Sequence, residues 1–234
     1  MIAKGSSIAH GRAAINYAMA KQQAVLMGTH HLGGNEVNDW LTQMELLQHT
    51  HCRIRNRFLR FELSPSKNES NNLSDEEWRK ISTDFLRKMG LQDNQAVVIL
   101  HRDDTPHLHV ICNRVANDHQ VYRDRKIGLR AGAAAAQISK ERGWKDAQDV
   151  SRSNHAACYR AAMDTLQEMQ WYDWHIFKEK MKKRGYRISE NFRPDGTING
   201  YNVLMPGQRR TEAFVGIPIS RINRRLCYSR LQSL

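Results

Sequence analysis

The stretch from Ala96 to Arg114 constrains this chain more than any other, because its pattern calls for a hairpin. Ala96-Val97-Val98-Ile99-Leu100 is a short apolar run that predicts a buried strand ending at His101. Arg102 to Pro106 is rich in charge and turn formers, and after it His107, His109, Ile111 and Asn113 alternate with Leu108, Val110 and Cys112. Side chains of a strand repeat every second residue, so both later histidines share one face and the three alternating residues the other. Cross-strand neighbours in an antiparallel pair have Cβ atoms about 4.5–5.5 Å apart, and imidazole nitrogens bind a first-row metal at about 2.0–2.1 Å. His101, His107 and His109 at the mouth of one hairpin can therefore share an ion. A lone strand histidine is usually packed or solvated, and it is the grouping of three that lifts these above that reading. A second pair, His49-Thr50-His51, sits among arginines without strand alternation and reads as solvated or phosphate-facing.

Around the hairpin, helical and strand periods alternate. Gly11 to Gln22 places Ile15, Ala18 and Met19 on one side of a helix and Tyr17 on another. Ala24 to Leu32 reads as a strand. Val37, Trp40, Leu41 and Met44 have helical spacing, with Asn35 or Asn38 as the cap, and Arg57 to Leu63 has the period of a strand. Ser74-x-x-Glu77 is a capping box, followed by the apolar stripe Trp78, Ile81, Phe85 and Met89 and the terminator Gly90. Helices are expected over Gly128–Arg142, Arg152–Met169 and Trp171–Arg184, then a hairpin over Tyr186–Leu204 turning at Pro194-Asp195-Gly196. The expected fold is α+β, an antiparallel central sheet with helices packed on one face. A boundary near residues 145–152 would divide a core, 1–150, from a helical and hairpin extension, 151–234.

The formal charge of +12 over 234 residues, with pI about 9.8, makes a polyanion the natural partner. No apolar run approaches the ~20 residues that span a bilayer and no signal peptide is visible, so the expectation is a cytoplasmic protein without a membrane partner. Cys52, Cys112, Cys158 and Cys227 lack C-x-x-C spacing, against a zinc knuckle or a disulfide framework, and are expected to be reduced. Basic residues cluster at Arg53–Arg60, at Arg123, Arg125, Lys126 and Arg130, at Lys178–Arg187 and at Arg209–Arg230. About half of such charges belong to solvated faces and the rest can neutralise phosphates, which gives affinity without reading sequence.

The order apolar strand, H-x-D, short turn, P-H-x-H, apolar run, N-R-V resembles the third motif of conjugative relaxases of the HUH endonuclease superfamily, most closely the single-tyrosine MobP-type mobilization proteins. Lys4-Gly5-Ser6-Ser7 and Gly11-Arg12-Ala13-Ala14-Ile15-Asn16-Tyr17 resemble the first motif, whose helix carries the nucleophilic tyrosine. Phe61 to Ser66 followed by Leu73 to Trp78 resembles the second, a strand leading into a capped helix. The likeness runs from about residue 1 to 115 and more weakly beyond.

The resemblance implies nicking of single-stranded DNA at a transfer origin, with Tyr17 as nucleophile and a 5′-phosphotyrosine intermediate that is later rejoined. His101, His107 and His109 would hold one divalent ion. Relaxases work with Mg²⁺ or Mn²⁺, while three neutral imidazoles also suit Zn²⁺, Co²⁺ or Ni²⁺. Asp103 could take the phenolic proton or orient a ligand histidine, the second being slightly favoured. Asp104 and Glu62 are further carboxylates for the site. Arg57, Arg60, Arg114, Arg123, Arg125 and Lys126 are the candidate DNA contacts, and accessory relaxosome proteins and a coupling protein are the further partners implied. Two other classes stay open: a replication initiator or transposase with the same histidines, whose nucleophile would follow them, and a non-catalytic DNA-binding protein with a structural metal, for which no fourth ligand is evident.

Overall fold

The computed structural model describes residues 1–51, 53–208, 210 and 215–233, so Cys52 and Arg209 lie outside the described residues. These residues divide into two compact units, Met1–Ala147 and Gln148–Leu234.

The first unit runs β1 (Ile2–Ile8), α1 (Gly11–Met19), β2 (Ala24–His30), α2 (Val37–Gln48), β3 (Phe58–Ser64), α3 (Lys67–Ser70), α4 (Asp75–Met89), β4 (Asn94–His101), β5 (His107–Ala116) and α5 (Ile127–Glu141). Its five strands form an antiparallel sheet in the order β1-β3-β5-β4-β2. The expected hairpin is the β4–β5 pair at its centre, with His101 directly opposite His107 and Leu100 opposite Leu108.

Helices were expected on one face of the sheet, but they cover both. On one face Leu59, Phe61, Leu63, Val98, Leu100, Leu108, Val110 and Cys112 pack with Trp78, Ile81 and Phe85 of α4 and Ala131, Ala135 and Ile138 of α5. On the other, Phe58, Val97, Ile99 and Ile111 pack with Ile15 and Ala18 of α1 and Trp40, Leu41 and Met44 of α2. The physical sign is the apolar run in β4. All eight of its residues are buried, and a strand apolar at successive positions has to be covered on both sides. The helical stripe of α4 contributes about 1.5–3 kcal/mol for each large apolar side chain buried, against about 1 kcal/mol for a cap, so packing rather than capping holds it in place.

Local signals set the element ends. Ser74 and Glu77 close a capping box on α4, and Gly90 ends that helix in the left-handed region, φ 71°. The cap of α2 is Glu36, boxed with Asp39, in place of Asn35 or Asn38, because Asp39 reaches back to the cap's own N–H. Gly11 has a packing reason: a Cβ there would stand 2.4 Å from the Phe58 ring. Its absence lets α1 lie down on β3.

The second unit contains α6 (Ala147–Gln167, whose first residue closes the first unit), α7 (Trp174–Lys183), β6 (Arg187–Phe192), β7 (Ile198–Leu204), β8 (Ile217–Pro218), α8 (Ile219–Ile222) and α9 (Tyr228–Leu231). A three-stranded sheet, β6-β7-β8, packs Tyr201 and Val203 against Cys158 and Ala162 of α6 and Trp174, Phe177 and Met181 of α7. Trp174, Phe177 and Tyr201 thus form part of an aromatic core in this unit. Among the described residues Cys112, Cys158 and Cys227 are free thiols, and no helix is long and apolar enough to cross a membrane.

Candidate metal centre

The register of the sheet builds the site. His101 at the end of β4, and His107 and His109 on β5, project from the α1/α2 face together with Glu62 of β3, which lies directly opposite His109. The three imidazole centroids form a triangle with sides of 4.4, 4.9 and 5.0 Å, and one ring nitrogen from each lies within 4.8 Å of the others. Its corners stand about 2.8 Å from the middle (mean side divided by √3). Three ring nitrogens this close could together hold one ion at the about 2.0–2.1 Å typical of imidazole ligands. Among the described residues no other group of histidines, cysteines and carboxylates comes together in this way.

Hydrogen bonds set which nitrogen each ring presents. His107 Nδ1 donates to the Thr105 carbonyl at 2.9 Å, leaving Nε2 as the acceptor. His101 Nε2 donates to the Ala18 carbonyl at 2.7 Å, leaving Nδ1. That carbonyl belongs to the last turn of α1, where carbonyls lack intrahelical partners, so a histidine of the site caps the helix that carries Tyr17. Burial, reinforced by His101 and His107, lowers the His109 pKa to about 4. At neutral pH its imidazole is uncharged and needs no deprotonation before binding a metal. Burial works to raise the Glu62 pKa, but the Lys4 ammonium at 3.2 Å, aided by the neighbouring His107 and His109 imidazoles, prevails and holds it below the usual value.

Beside His101 and His107 opens a cavity of about 820 Å³, also bordered by Lys21, Gln23, Glu62, Asp103 and Asp104. Asp103 accepts from the Thr105 N–H at 3.1 Å and stands 3.6 Å from His107 Nδ1. It shapes the turn, and it is the Thr105 carbonyl that contacts the His107 ring. Tyr17 points outward from α1 and is 55% exposed, the only one of the seven tyrosines that is mainly open to solvent. Tyr122 and Tyr201 donate their hydroxyls to the carbonyls of Met89 and Leu226.

Residues 17–144 match the family described as Relaxase: MobA/VirD2-like, nuclease domain. The chain belongs to this relaxase family. The solved structure of the conjugative relaxase TrwC in complex with oriT DNA, metal-bound, is similar at 11% identity and a TM-score of 0.37, over 96% of this chain and 80% of that one. No curated protein matches significantly.

Not every candidate site residue lies beside the histidine triangle. Arg114 was expected to hold a phosphate, but it lies on the opposite face of β5 from the histidines. Its guanidinium bonds the carbonyls of Tyr122 and Asn56 and pairs with Asp124 at 2.8 Å. It is five residues from His109, roughly 17 Å along a strand. Arg123, Arg125 and Lys126 are exposed in the loop before α5, next to Arg114's partners rather than beside the triangle. Arg57 bonds the Ile54 carbonyl at the start of β3. Arg60 shares the histidine face, opposite Ile111, close enough for its charge to disfavour protonation of His109. His51 of the second H-x-H pair meets the His119 carbonyl at 2.7 Å.

Lys21 is a residue near the triangle that the sequence did not single out. Its ammonium stands 4.9 Å from the centre of the Tyr17 ring, while the same side chain borders the cavity beside His101. The spacing from Tyr17, one helical turn, was the available signal. Asn113, at the end of the histidine strand, is fully buried with Gln48 and Gln95 and has a structural role.

Proposed function

We propose that the chain is a single-tyrosine, MobP-type relaxase that nicks one strand of DNA at the transfer origin of a mobile element. In this reading it then holds the 5′ end covalently for rejoining. The observation that carries the reading is the 2.7 Å bond between His101 and the carbonyl of Ala18, which ties the residue beside the exposed Tyr17 to the histidine triangle.

A divalent ion held by His101, His107 and His109, with Mg²⁺ or Mn²⁺ the first choices and Zn²⁺, Co²⁺ or Ni²⁺ chemically admissible, would supply positive charge for the oxygens of the scissile phosphate. The Tyr17 oxygen bonds to phosphorus as the bond from phosphorus to the 3′ oxygen breaks. The products are a 5′-phosphotyrosine and a free 3′-hydroxyl. Because a phosphodiester replaces a phosphodiester, the step is reversible and the strand can be resealed. A protonated phenol is a weak nucleophile, so its proton must leave. Asp103 and Asp104, which border the cavity, are the carboxylates for that task. Lys21 places a fixed positive charge between Tyr17 and the cavity, where the phosphate and the developing phenolate are both negative. Thr105 and Asp103 hold the turn, and with it the orientation of His107.

The test is incubation with single-stranded oligonucleotides spanning the transfer origin, with Mg²⁺, Mn²⁺ or a chelator. The expected result is a covalent protein–DNA adduct that needs metal and is absent from Tyr17→Phe. An equal adduct from Tyr17→Phe removes Tyr17 from its role, and absence of cleavage with every metal sinks the nuclease reading for this chain.

A further inference from the structure

Outside the family-matched residues, the second unit carries two kinds of cation, and they are treated differently. On and around α7, Lys178 pairs with Glu190, Lys180 and Arg184 with Glu168, and Lys182 with Glu179. Between Val215 and Ser233, by contrast, stand Arg221, Arg224, Arg225 and Arg230 and no acidic residue. All four are exposed, and among the described residues none of them forms an ion pair.

These arginines sit on a rigid platform. Ile219 of α8, Leu226 of the 3-10 turn Arg224–Leu226 and Leu231 of α9 are buried in the core of the unit. The buried Tyr201 hydroxyl donates to the Leu226 carbonyl at 2.7 Å, and Asn223 caps the turn by accepting from the Arg225 N–H at 2.9 Å. Both α8 and α9 pack against this turn. The buried residues fix the backbone, and among the described residues each exposed guanidinium has no ion-pair partner.

We propose that this arginine cluster is a second nucleic-acid grip, which binds the sugar–phosphate backbone of DNA independently of the metal centre. Like charges at Arg221, Arg224, Arg225 and Arg230, close together along the chain on elements that pack on one turn, repel one another, and nothing in the core requires them. A regularly charged polyanion relieves that repulsion and releases counterions as it binds. All four being arginine matters, because the planar guanidinium meets phosphate oxygens in a bidentate fork that an ammonium lacks. The cluster reads charge and spacing, not base sequence. The proposal rests on the relaxase reading only in naming DNA as the polyanion.

The experiment uses the full chain with the four arginines changed together to glutamine (R221Q, R224Q, R225Q and R230Q). A second variant carries K180Q and K182Q, whose lysines have carboxylate partners. Fluorescence anisotropy measures binding of a single-stranded and a duplex oligonucleotide over a salt series, with metal-dependent cleavage and the melting curve followed in parallel. The expected result is at least tenfold weaker binding by the arginine variant, with a salt slope shallower by roughly 0.7–0.9 for each phosphate that is no longer neutralised. The paired-lysine variant should keep its affinity, and both variants should melt with wild type. Whether the single strand or the duplex is weakened more identifies the form of DNA held. Unchanged affinity and slope in the arginine variant overturn the proposal. So does tighter arginine-dependent binding to vesicles of acidic phospholipid than to either DNA, which would make the cluster a membrane-binding surface. Cleavage is scored separately, so failure of the nuclease reading and failure of this grip are distinguishable.

Discussion

Asn113 offers the sharpest test of how the sheet is held to α2. The residue is fully buried, and its amide uses all of its capacity: Nδ2 donates to the Met44 carbonyl at 3.0 Å and to Gln95 Oε1 at 2.9 Å, while Oδ1 accepts from Gln48 Nε2 at 3.0 Å and from the Val115 N–H at 3.1 Å. Asn113→Leu keeps the volume and removes all four bonds. The Met44 carbonyl sits inside a helix, and Gln48 retains a long bond to the Arg57 carbonyl at 3.4 Å. The groups left bare are therefore the Val115 N–H, Gln95 Oε1 and part of the Gln48 amide. At about 1–3 kcal/mol for each buried unsatisfied group, with some relaxation, the substitution costs about 4 kcal/mol. For a unit of this size that lowers the melting temperature by roughly 8–16 °C. The assay is thermal and urea denaturation followed by circular dichroism, with Gln48→Leu and the double variant completing a cycle. The double variant should recover part of the loss, because two apolar groups replace a broken pair. Asn113 stands four residues from His109, roughly 14 Å along the strand, so metal affinity of the folded variant should not change. A loss below about 1 kcal/mol, or strict additivity in the cycle, refutes the reasoning.

Two further outcomes follow from the metal centre. The His109 pKa of about 4 in the folded protein lies below the ordinary value of 6.5, so between those values the unfolded chain binds more protons than the folded one. In chelator, stability is therefore complete above about pH 6.5 and declines as pH falls toward 4, and His109→Gln should flatten that decline in urea midpoints. Adding Mn²⁺ at 100 times its dissociation constant should stabilise wild type by about 2.7 kcal/mol, and calorimetry on His109→Gln should show that gain abolished. Lys21→Met should slow adduct formation at least tenfold while leaving metal binding and melting unchanged, with Lys21→Arg restoring part of the rate. Full activity in Lys21→Met would leave its ammonium only a surface charge.

Sequence alone determined the β4–β5 hairpin, the pairing of His101 with His107 and His109, the capped helix α4 and the exposed side of α1 that carries Tyr17. Each is written in a period of two or 3.6 residues or in a short capping spacing, and those are set by backbone geometry within one or two neighbouring elements. The tertiary structure decided what the periods leave open. It put helices on both faces of the sheet, because coverage depends on which distant segments return to β4. It paired Arg114 with Asp124 and the Tyr122 carbonyl, because β5 alternates and places that guanidinium on the face away from the histidines. It joined Ala18 to His101 across 83 residues, and with that bond brought the tyrosine helix and the histidine triangle together. Local order is a matter of chain geometry, whereas a site assembled from β3, β4, β5 and α1 exists only once long-range packing has repaid the entropy of bringing those segments together.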